Sequence, residues 1–548
     1  MTSDKISRIR RPIGMLLAPM LLLFASGRAR ATDFYVDPQN GSATGDGSSA
    51  DPWQDLQDVV DNQVQTQTWD HLPYDDTATL VAVNPGAPVQ PGDRILLLDG
   101  TYGDLSIQGL YNEDWITIEA APNATPKFHS IKFQGGAFWV LKKLHVSPSF
   151  VSPYDPTELI SIRNHNFRGP VSDVRVEDCT LFSVEDTSNW TIDDWNNKSA
   201  NGISSDGERV VIRSNTLRNV NFGISMSGPH ALVEHNLVEN FAGDGMRGLG
   251  DYDVFQYNTV KNCYDVNANH DDGFQSWSVG QDGVGTGEVV GVELRGNTII
   301  NYEDPNQPFR GTLQGIGCFD GMFVDWVVEN NLILVDHWHG ITLLGARGCR
   351  IVNNTVLDLN NERPGPPWIR IGNDKDGTPP EDCIVRNNLA TAFNSADSSG
   401  VTSDHNLTIT DATALFVDPA NFDFHLNPGT EAIDTGSSDL APAQDKDGVP
   451  RPQGDAVDLG CYEYHEGSIV YPDGGVSDDA GGSGDGSVNP PNDGGIDAGS
   501  VDGSPTKKSG SSSGCGCHTS GIPDPTAPLL LTVLIGILFV RRRGSIDR

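Results

Sequence analysis

Apolar residues in the middle of this chain do not recur at helical spacing. They come in two short phrases that alternate. One places a hydrophobic residue directly after a glycine: Ile203 after Gly202, Ile224 after Gly223, Met246 after Gly245, Phe274 after Gly273, Ile316 after Gly315 and Ile341 after Gly340. The other sets an asparagine among β-forming residues: Asn215, Asn236, Asn258, Asn297, Asn331, Asn354 and Asn388. The tightest spacings of the asparagine phrase are 236 − 215 = 21, 258 − 236 = 22 and 354 − 331 = 23.

A period in that range with β-branched side chains predicts a solenoid of short strands, a right-handed parallel β-helix. Each turn is about three strands joined by bends, with neighbouring turns about 4.8 Å apart. A single turn cannot bury its own apolar face, so turns must stack and equivalent residues lie above one another. The asparagines are then expected to form an internal ladder. The glycines mark a bend, through a positive φ or a close backbone approach. Strands of a sandwich repeat at roughly 8–12 residues and would carry no fixed asparagine.

Stacking turns the glycine phrase into a ruler. The residue before glycine runs Asn201, Phe222, Asp244, Asp272, Gln314, His339, and the residue two after runs Ser204, Ser225, Arg247, Gln275, Gly317, Thr342. Both columns are expected to face outward. They change from small or apolar to charged and amide side chains in the central turns, which marks the candidate site. Asp271 and Asp272, with Asp244 one turn earlier, offer oxygens for a hard cation such as Ca²⁺. Arg247 suits a carboxylate, as clamp or acid partner. His270 and His339 are the local candidates for a base. Gln275, Gln314, Trp277 and Trp338 are expected to contact substrate, the tryptophans by stacking on sugar rings. An insert at 184–199, with Asp186, Trp190, Asp193, Asp194 and Trp195, suits a polysaccharide or is an unconstrained surface loop. Asp-Asp-Gly is also a common turn sequence, and Arg247 could serve only to pair with Asp244 or Asp272.

The ends of the chain differ from its body. Arg8, Arg10 and Arg11, an apolar stretch from Gly14 to Ala25 and the Ala29-Arg30-Ala31 exit predict a signal peptide over 1–31. The β-helix domain is expected over 32–466. Within it, 32–62 is an N-terminal cap whose Leu56, Val59 and Val60 fall at helical spacing, and 424–466 is a terminal element. Residues 467–514, rich in Gly, Ser, Asp, Pro and Asn, read as a disordered linker. Residues 515–548 hold Cys515-Gly-Cys517, a short apolar run and Arg541-Arg542-Arg543, a sorting or membrane-anchor segment. The chain has 36 Lys and Arg against 74 Asp and Glu, a formal net charge of −38. That balance excludes an ordinary nucleic-acid binder, which would have to attract phosphates. Eight cysteines fit an oxidising compartment without forming a dense framework. Cys349 and Cys383 each lie five residues before a ladder asparagine, so they share a rung on adjacent turns. A disulfide and a stack of buried thiols are both open to them.

Four stretches carry resemblances. Tyr35-Val36-Asp37-Pro38 with Pro52-Trp53, and the Gly460-Cys461-Tyr462-Glu463 ending, resemble the opening and close of secreted bacterial β-helix proteins. The Cys-Gly-Cys tail resembles the sorting segment of myxobacterial surface proteins, which implies export and retention at the cell surface. Asp244-Gly245 followed by Asp271-Asp272-Gly273-Phe274 resembles the calcium-dependent pectate lyases. The resemblance implies Ca²⁺ on Asp244, Asp271 and Asp272 and an acidic polysaccharide substrate. It departs from the family at Gln275, where an Asp is usual, and at Gly317, where the basic Lys is usual. The expected function is therefore a monomeric cell-surface protein acting on an acidic polysaccharide or other glycan, lyase-like or epimerase-like. The alternative is a glycan-binding or adhesive protein on the same scaffold. Membrane contact is expected only through the C-terminal segment.

Overall fold

The computed structural model describes residues 31–395 and 398–467, with the backbone of two short strands, Ile469–Val470 and Val476–Ser477. The proposed signal peptide up to residue 30, most of the linker and the sorting segment lie outside the described residues. Among the described residues no helix is long and apolar enough to cross a membrane.

The chain divides into two units. The first comprises residues up to 155 together with 160–180. Its helix Leu56–Asn62 starts at Asp55, whose side chain accepts from the Asp58 N–H, and buries Leu56, Val59 and Val60, as the spacing predicts. Parallel strands then stack: Arg94–Leu97 pairs with the C-terminal end of a long strand, Gly100–Ala120, which pairs in turn with Pro126–Lys142. Cys179, which stands where a ladder asparagine would, is buried, and its sulfur accepts from the Leu144 N–H at 3.4 Å.

The second unit, 156–159 and 181 onward, is a parallel β-helix with three strand ladders. One contains the glycine phrase: Ile203–Ser205, Ile224–Met226, Met246–Gly248, Asp272–Trp277, Gln314–Asp320, His339–Leu344, Trp368–Gly372 and Ala392–Phe393. A single inward row runs Ile203, Ile224, Met246, Phe274, Ile316, Ile341, Ile369 and Phe393. The outward row runs Ser204, Ser225, Arg247, Gln275, Gly317, Thr342 and Arg370 in the same registers. The phrase glycines do not adopt positive φ. They serve close approach instead: a Cβ on Gly202 would come within 2.3 Å of the Gly223 carbonyl oxygen, and one on Gly223 within 2.2 Å of that of Gly245.

The asparagine ladder is continuous. Side-chain amides donate from Asn215 to Asn236, then to Asn258, Asn297, Asn331, Asn354, Asn388 and Asn406, at 2.9–3.0 Å. Each receiving Oδ1 also accepts the backbone N–H of the preceding ladder asparagine. The residue before every ladder asparagine sits in the left-handed region: Ser214, His235, Tyr257, Gly296, Asn330, Asn353, Asn387 and His405. A left-handed non-glycine residue costs about 1–2 kcal/mol, and the two hydrogen bonds each asparagine receives offset it. The terminal element docks back on these coils. Asn353 donates to the Asp458 carbonyl at 2.9 Å, the Cys461 N–H donates to Thr355 Oγ1 at 3.0 Å, and Arg451 pairs with Glu463 at 2.6 Å, both buried. The six described cysteines are all buried, and none is joined in a disulfide.

Candidate functional site

The central coils of the second unit carry the polar columns. Asp244 is 1% exposed. Its Oδ1 accepts the Asp272 backbone N–H at 3.1 Å and its Oδ2 meets the Arg247 guanidinium at 2.5 Å. Residues far apart in the chain are therefore neighbours across one rung. Arg247 lies over the Phe222 ring at 3.8 Å and reaches Trp277 at 5.5 Å, so two aromatic faces and one carboxylate fix its charge in place. Burial raises the Asp244 pKa, and the Arg247 charge pulls it back down.

Asp272 is fully buried and accepts at Oδ2 from His270 Nδ1 and Gln275 Nε2, each at 3.0 Å. Burial pushes it up to about 7, against the hydrogen bond from His270. That same bond raises His270 above its ordinary value. A carboxylate holding one imidazole nitrogen fixes the tautomer and leaves the other for proton transfer, the logic of a triad's inner pair. Among the described residues Asp272 Oδ1 has no hydrogen-bond partner. It rests against Gly317, where a Cβ would come within 2.1 Å of it. Gly317 thus has a local physical reason: the Asp272 carboxylate occupies the space a Cβ would need.

Asp271 is not part of this group. Its carboxylate accepts instead from Asn269 Nδ2 at 3.1 Å and from Cys263 Sγ at 3.5 Å, and burial pushes it up to about 8. The expected calcium trio is therefore not gathered. Asp244 is committed to Arg247, Asp272 to His270, and Asp271 to Asn269 and Cys263. Among the described residues no three His, Cys, Asp or Glu side chains are grouped to hold a metal ion. The residues present do not fit Ca²⁺.

One to three rungs further on, Gln314 stands in register with Asp272, and its Oε1 has no partner among the described residues. His339 and Trp338 follow. His339 Nδ1 lies 3.0 Å from Thr342 Oγ1, and Trp368 Nε1 donates to the same hydroxyl at 3.1 Å. The Trp368 indole N–H donates to the Thr342 hydroxyl, and His339 Nδ1 shares that hydroxyl in a hydrogen bond whose direction follows the ring tautomer. Burial drives His339 down to about 3 and His337 to about 4, with His270 adding to both shifts by its positive charge. A neutral His339 keeps one N–H donor and one nitrogen lone pair, and its burial makes that lone pair a weak base. Trp338 is 37% exposed, and its ring is nearly parallel to that of Trp368, with centroids 6.2 Å apart.

Trp368 and Arg370 escape the glycine ruler because their coil lacks the phrase glycine. A bulge between His339 and Ile341 absorbs Gly340. Their signal was the β-branched, aromatic Trp368-Ile369-Arg370-Ile371 run. The 184–199 insert also differs from expectation. Its helix Ile192–Lys198 buries Trp195 against Tyr264, with centroids 4.7 Å apart, beside Ala242 and Val266. Asn196 donates to the Val266 carbonyl and accepts from Asn267. The insert thus braces the segment leading to His270, and Trp195 is core. A separate polar cavity of about 330 Å³, lined by Asn240, Asn262, Tyr264, Glu303 and Gln307 among others, contains none of the column residues.

No family model matches the chain, and no curated protein does. Solved structures do. The pectate lyase Pel9A aligns at 16% identity over 80% of this chain and 98% of its own, with a TM-score of 0.35. XylC, in complex with xylose, aligns at 9% identity over 79% and 99%, with a TM-score of 0.48. A GH136 lacto-N-biosidase from Eubacterium ramulus aligns at 13% identity over 69% and 67%, with a TM-score of 0.40. These are likenesses of backbone course at low identity. The chemistry of the outward face is read from its own residues.

Proposed function

We propose that this chain binds an acidic polysaccharide along the Arg247–His339 face and moves a proton on a uronate unit of it, by β-elimination or C5-epimerisation. The observation that carries this reading is the His270–Asp272 pair beside the Arg247–Asp244 pair on one outward face. Arg247 supplies positive charge toward the substrate carboxylate, which makes the C5 proton more acidic. Neutral His270, held by Asp272, takes that proton. In elimination the C4–O bond then breaks, and the leaving oxygen takes a proton from the His270 imidazolium or from water. In epimerisation water delivers a proton to the opposite face of C5 and the resulting hydroxide is neutralised by the proton on His270. His339, a neutral N–H donor, suits polarisation of the carboxylate or ring oxygens. Trp338 and Trp368 offer stacking area for sugar rings. No step passes through Ca²⁺.

Because the hydrogen bond to Asp272 raises the His270 pKa, the base form is populated only above the ordinary histidine value, about 6.5. Activity should rise with pH through that range. The test is incubation of the exported chain with pectate, alginate and glycosaminoglycans, reading unsaturated ends by absorbance and C5 configuration by NMR. Unsaturated or inverted product that His270→Gln abolishes supports the reading. No product on any substrate rejects catalysis.

A second reading, a non-catalytic glycan-binding protein, is favoured by Gly317. The family's lysine position holds no side chain, and the Asp272 carboxylate fills its place. Retention on a uronate column without turnover would select it. The same proposal puts the chain outside the cytoplasm and held at the cell surface through its C-terminal segment, which fractionation of producing cells tests.

A further inference from the structure

Cys349 and Cys383 stand at paired positions on adjacent coils. The register is offset by the same interval on both sides of them: Arg347 bridges to Glu381, and Arg350 pairs with Ile384. The Ile384 N–H donates to the Cys349 carbonyl at 2.9 Å, which locks the two positions together. Each cysteine follows a residue in the left-handed region, Gly348 and Asp382, so both strands enter the ladder in the same way. Both cysteines are 1% exposed. Neighbouring parallel strands set Cα atoms about 4.8 Å apart, inside the range of about 4.4–6.8 Å that a disulfide requires. Two other cysteines on the coils register with different residues: Cys263 with Phe241, and Cys318 with Ser276 and Leu343.

We propose that Cys349 and Cys383 are a redox pair that closes into a disulfide when the chain folds in the presence of a disulfide oxidant. The segment between them is one complete coil, containing the strands Arg350–Val352, Thr355–Asp358 and Trp368–Gly372. The bond would make that coil a covalent ring. It would fix the pitch between the rung bearing Trp338 and His339 and the rung bearing Trp368 and Arg370.

The chemistry is thiol–disulfide exchange. Cys349 Sγ donates to the Phe323 carbonyl and Cys383 Sγ to the Glu381 carbonyl, each at 3.2 Å, and the two thiols shift each other, Cys383 downward and Cys349 upward. Either thiol can ionise first; with Cys383 as the thiolate nucleophile the exchange runs in two steps. Cys383 attacks one sulfur of the oxidant's disulfide and releases the other as a thiol. Cys349 then attacks the Cys383 sulfur of that mixed disulfide and releases the second thiol. One disulfide forms in the protein, one is reduced in the oxidant, and the two cysteine protons end on the released thiols.

The test is direct. The full chain is exported into an oxidising compartment, denatured without reductant, treated with N-ethylmaleimide and digested for mass spectrometry. The expected result is a joined pair of peptides containing Cys349 and Cys383, two hydrogens lighter than the free pair, with Cys179, Cys263, Cys318 and Cys461 labelled. In Cys383→Ser, Cys349 becomes labelled, and reductant lowers the unfolding midpoint of the wild type but not of the variant. Label on both Cys349 and Cys383, or either one joined to a different cysteine, overturns the proposal.

Discussion

Replacing Asn297 by alanine tests the ladder that sets every register in the second unit. Asn297 Oδ1 accepts both the Asn258 backbone N–H and the Asn258 side-chain amide, each at 3.0 Å. Its own amide donates to the Phe255 carbonyl at 2.8 Å and to Asn331 Oδ1 at 3.0 Å. The substitution leaves two buried donors without an acceptor, in a place that water does not reach. At about 1–3 kcal/mol for each orphaned buried group, the cost is about 2–6 kcal/mol. Asn406, at the last rung, is only half-buried, and its amide has the Ser403 hydroxyl as well as the Val385 carbonyl. Asn406 Oδ1 likewise accepts two Asn388 donors, but at this half-buried last rung water can replace that oxygen, so Asn406→Ala should cost about 1 kcal/mol. Asn297→Asp should be no rescue, because its second oxygen would face the Phe255 carbonyl and Asn331 Oδ1. Guanidinium unfolding followed by far-UV circular dichroism measures all three. Equal small shifts for Asn297→Ala and Asn406→Ala would refute the reasoning.

Three further outcomes follow from the site. Asp271 ionises at about 4 when unfolded and at about 8 when folded, so the native state is favoured at low pH and loses stability as pH rises from 4 to 8. Asp271→Asn should remove most of that loss, up to about 4 kcal/mol at pH 7, seen as a higher unfolding midpoint at pH 8 with little change at pH 4. Gly317→Lys should not supply a family-like base: its Cβ would displace the Asp272 carboxylate, and the His270 titration followed by NMR should fall toward the ordinary value of about 6.5. Calorimetric titration with Ca²⁺ should show no saturable binding at the Asp244–Asp272 rung; binding that Asp272→Asn removes would contradict this.

The fold was legible because its information is periodic. Two phrases repeated at a fixed spacing determine which residues share a rung, and the columns read from that spacing are those the strands adopt. Asn406 extends the ladder by the same signal at a shorter spacing from Asn388. The site was legible only as far as columns reach. They bring Asp244, Asp272 and Gln314 together, but a column cannot tell that Asp271 is held by Asn269 and Cys263, nor that the other carboxylates are already engaged by Arg247 and His270. The role of His339 depends on a hydroxyl and an indole from its own and the next coil, Thr342 and Trp368. Of these, Trp368 lies where the glycine phrase is missing. Trp195 read as a surface aromatic because nothing in its own segment reveals Tyr264, which arrives from a much later coil.

The central claim is that side chains distant along the chain form one glycan-binding face on these coils. It is tested most directly by calorimetric titration of uronate oligosaccharides into the wild type, His270→Gln, Trp338→Ala and, as a control in a turn outside the glycine-phrase ladder, Tyr252→Ala. The account predicts binding by the wild type, retained by Tyr252→Ala and weakened at least about tenfold, about 1.4 kcal/mol, in the two face variants. No binding by the wild type, or equal affinity across all four proteins, would contradict it.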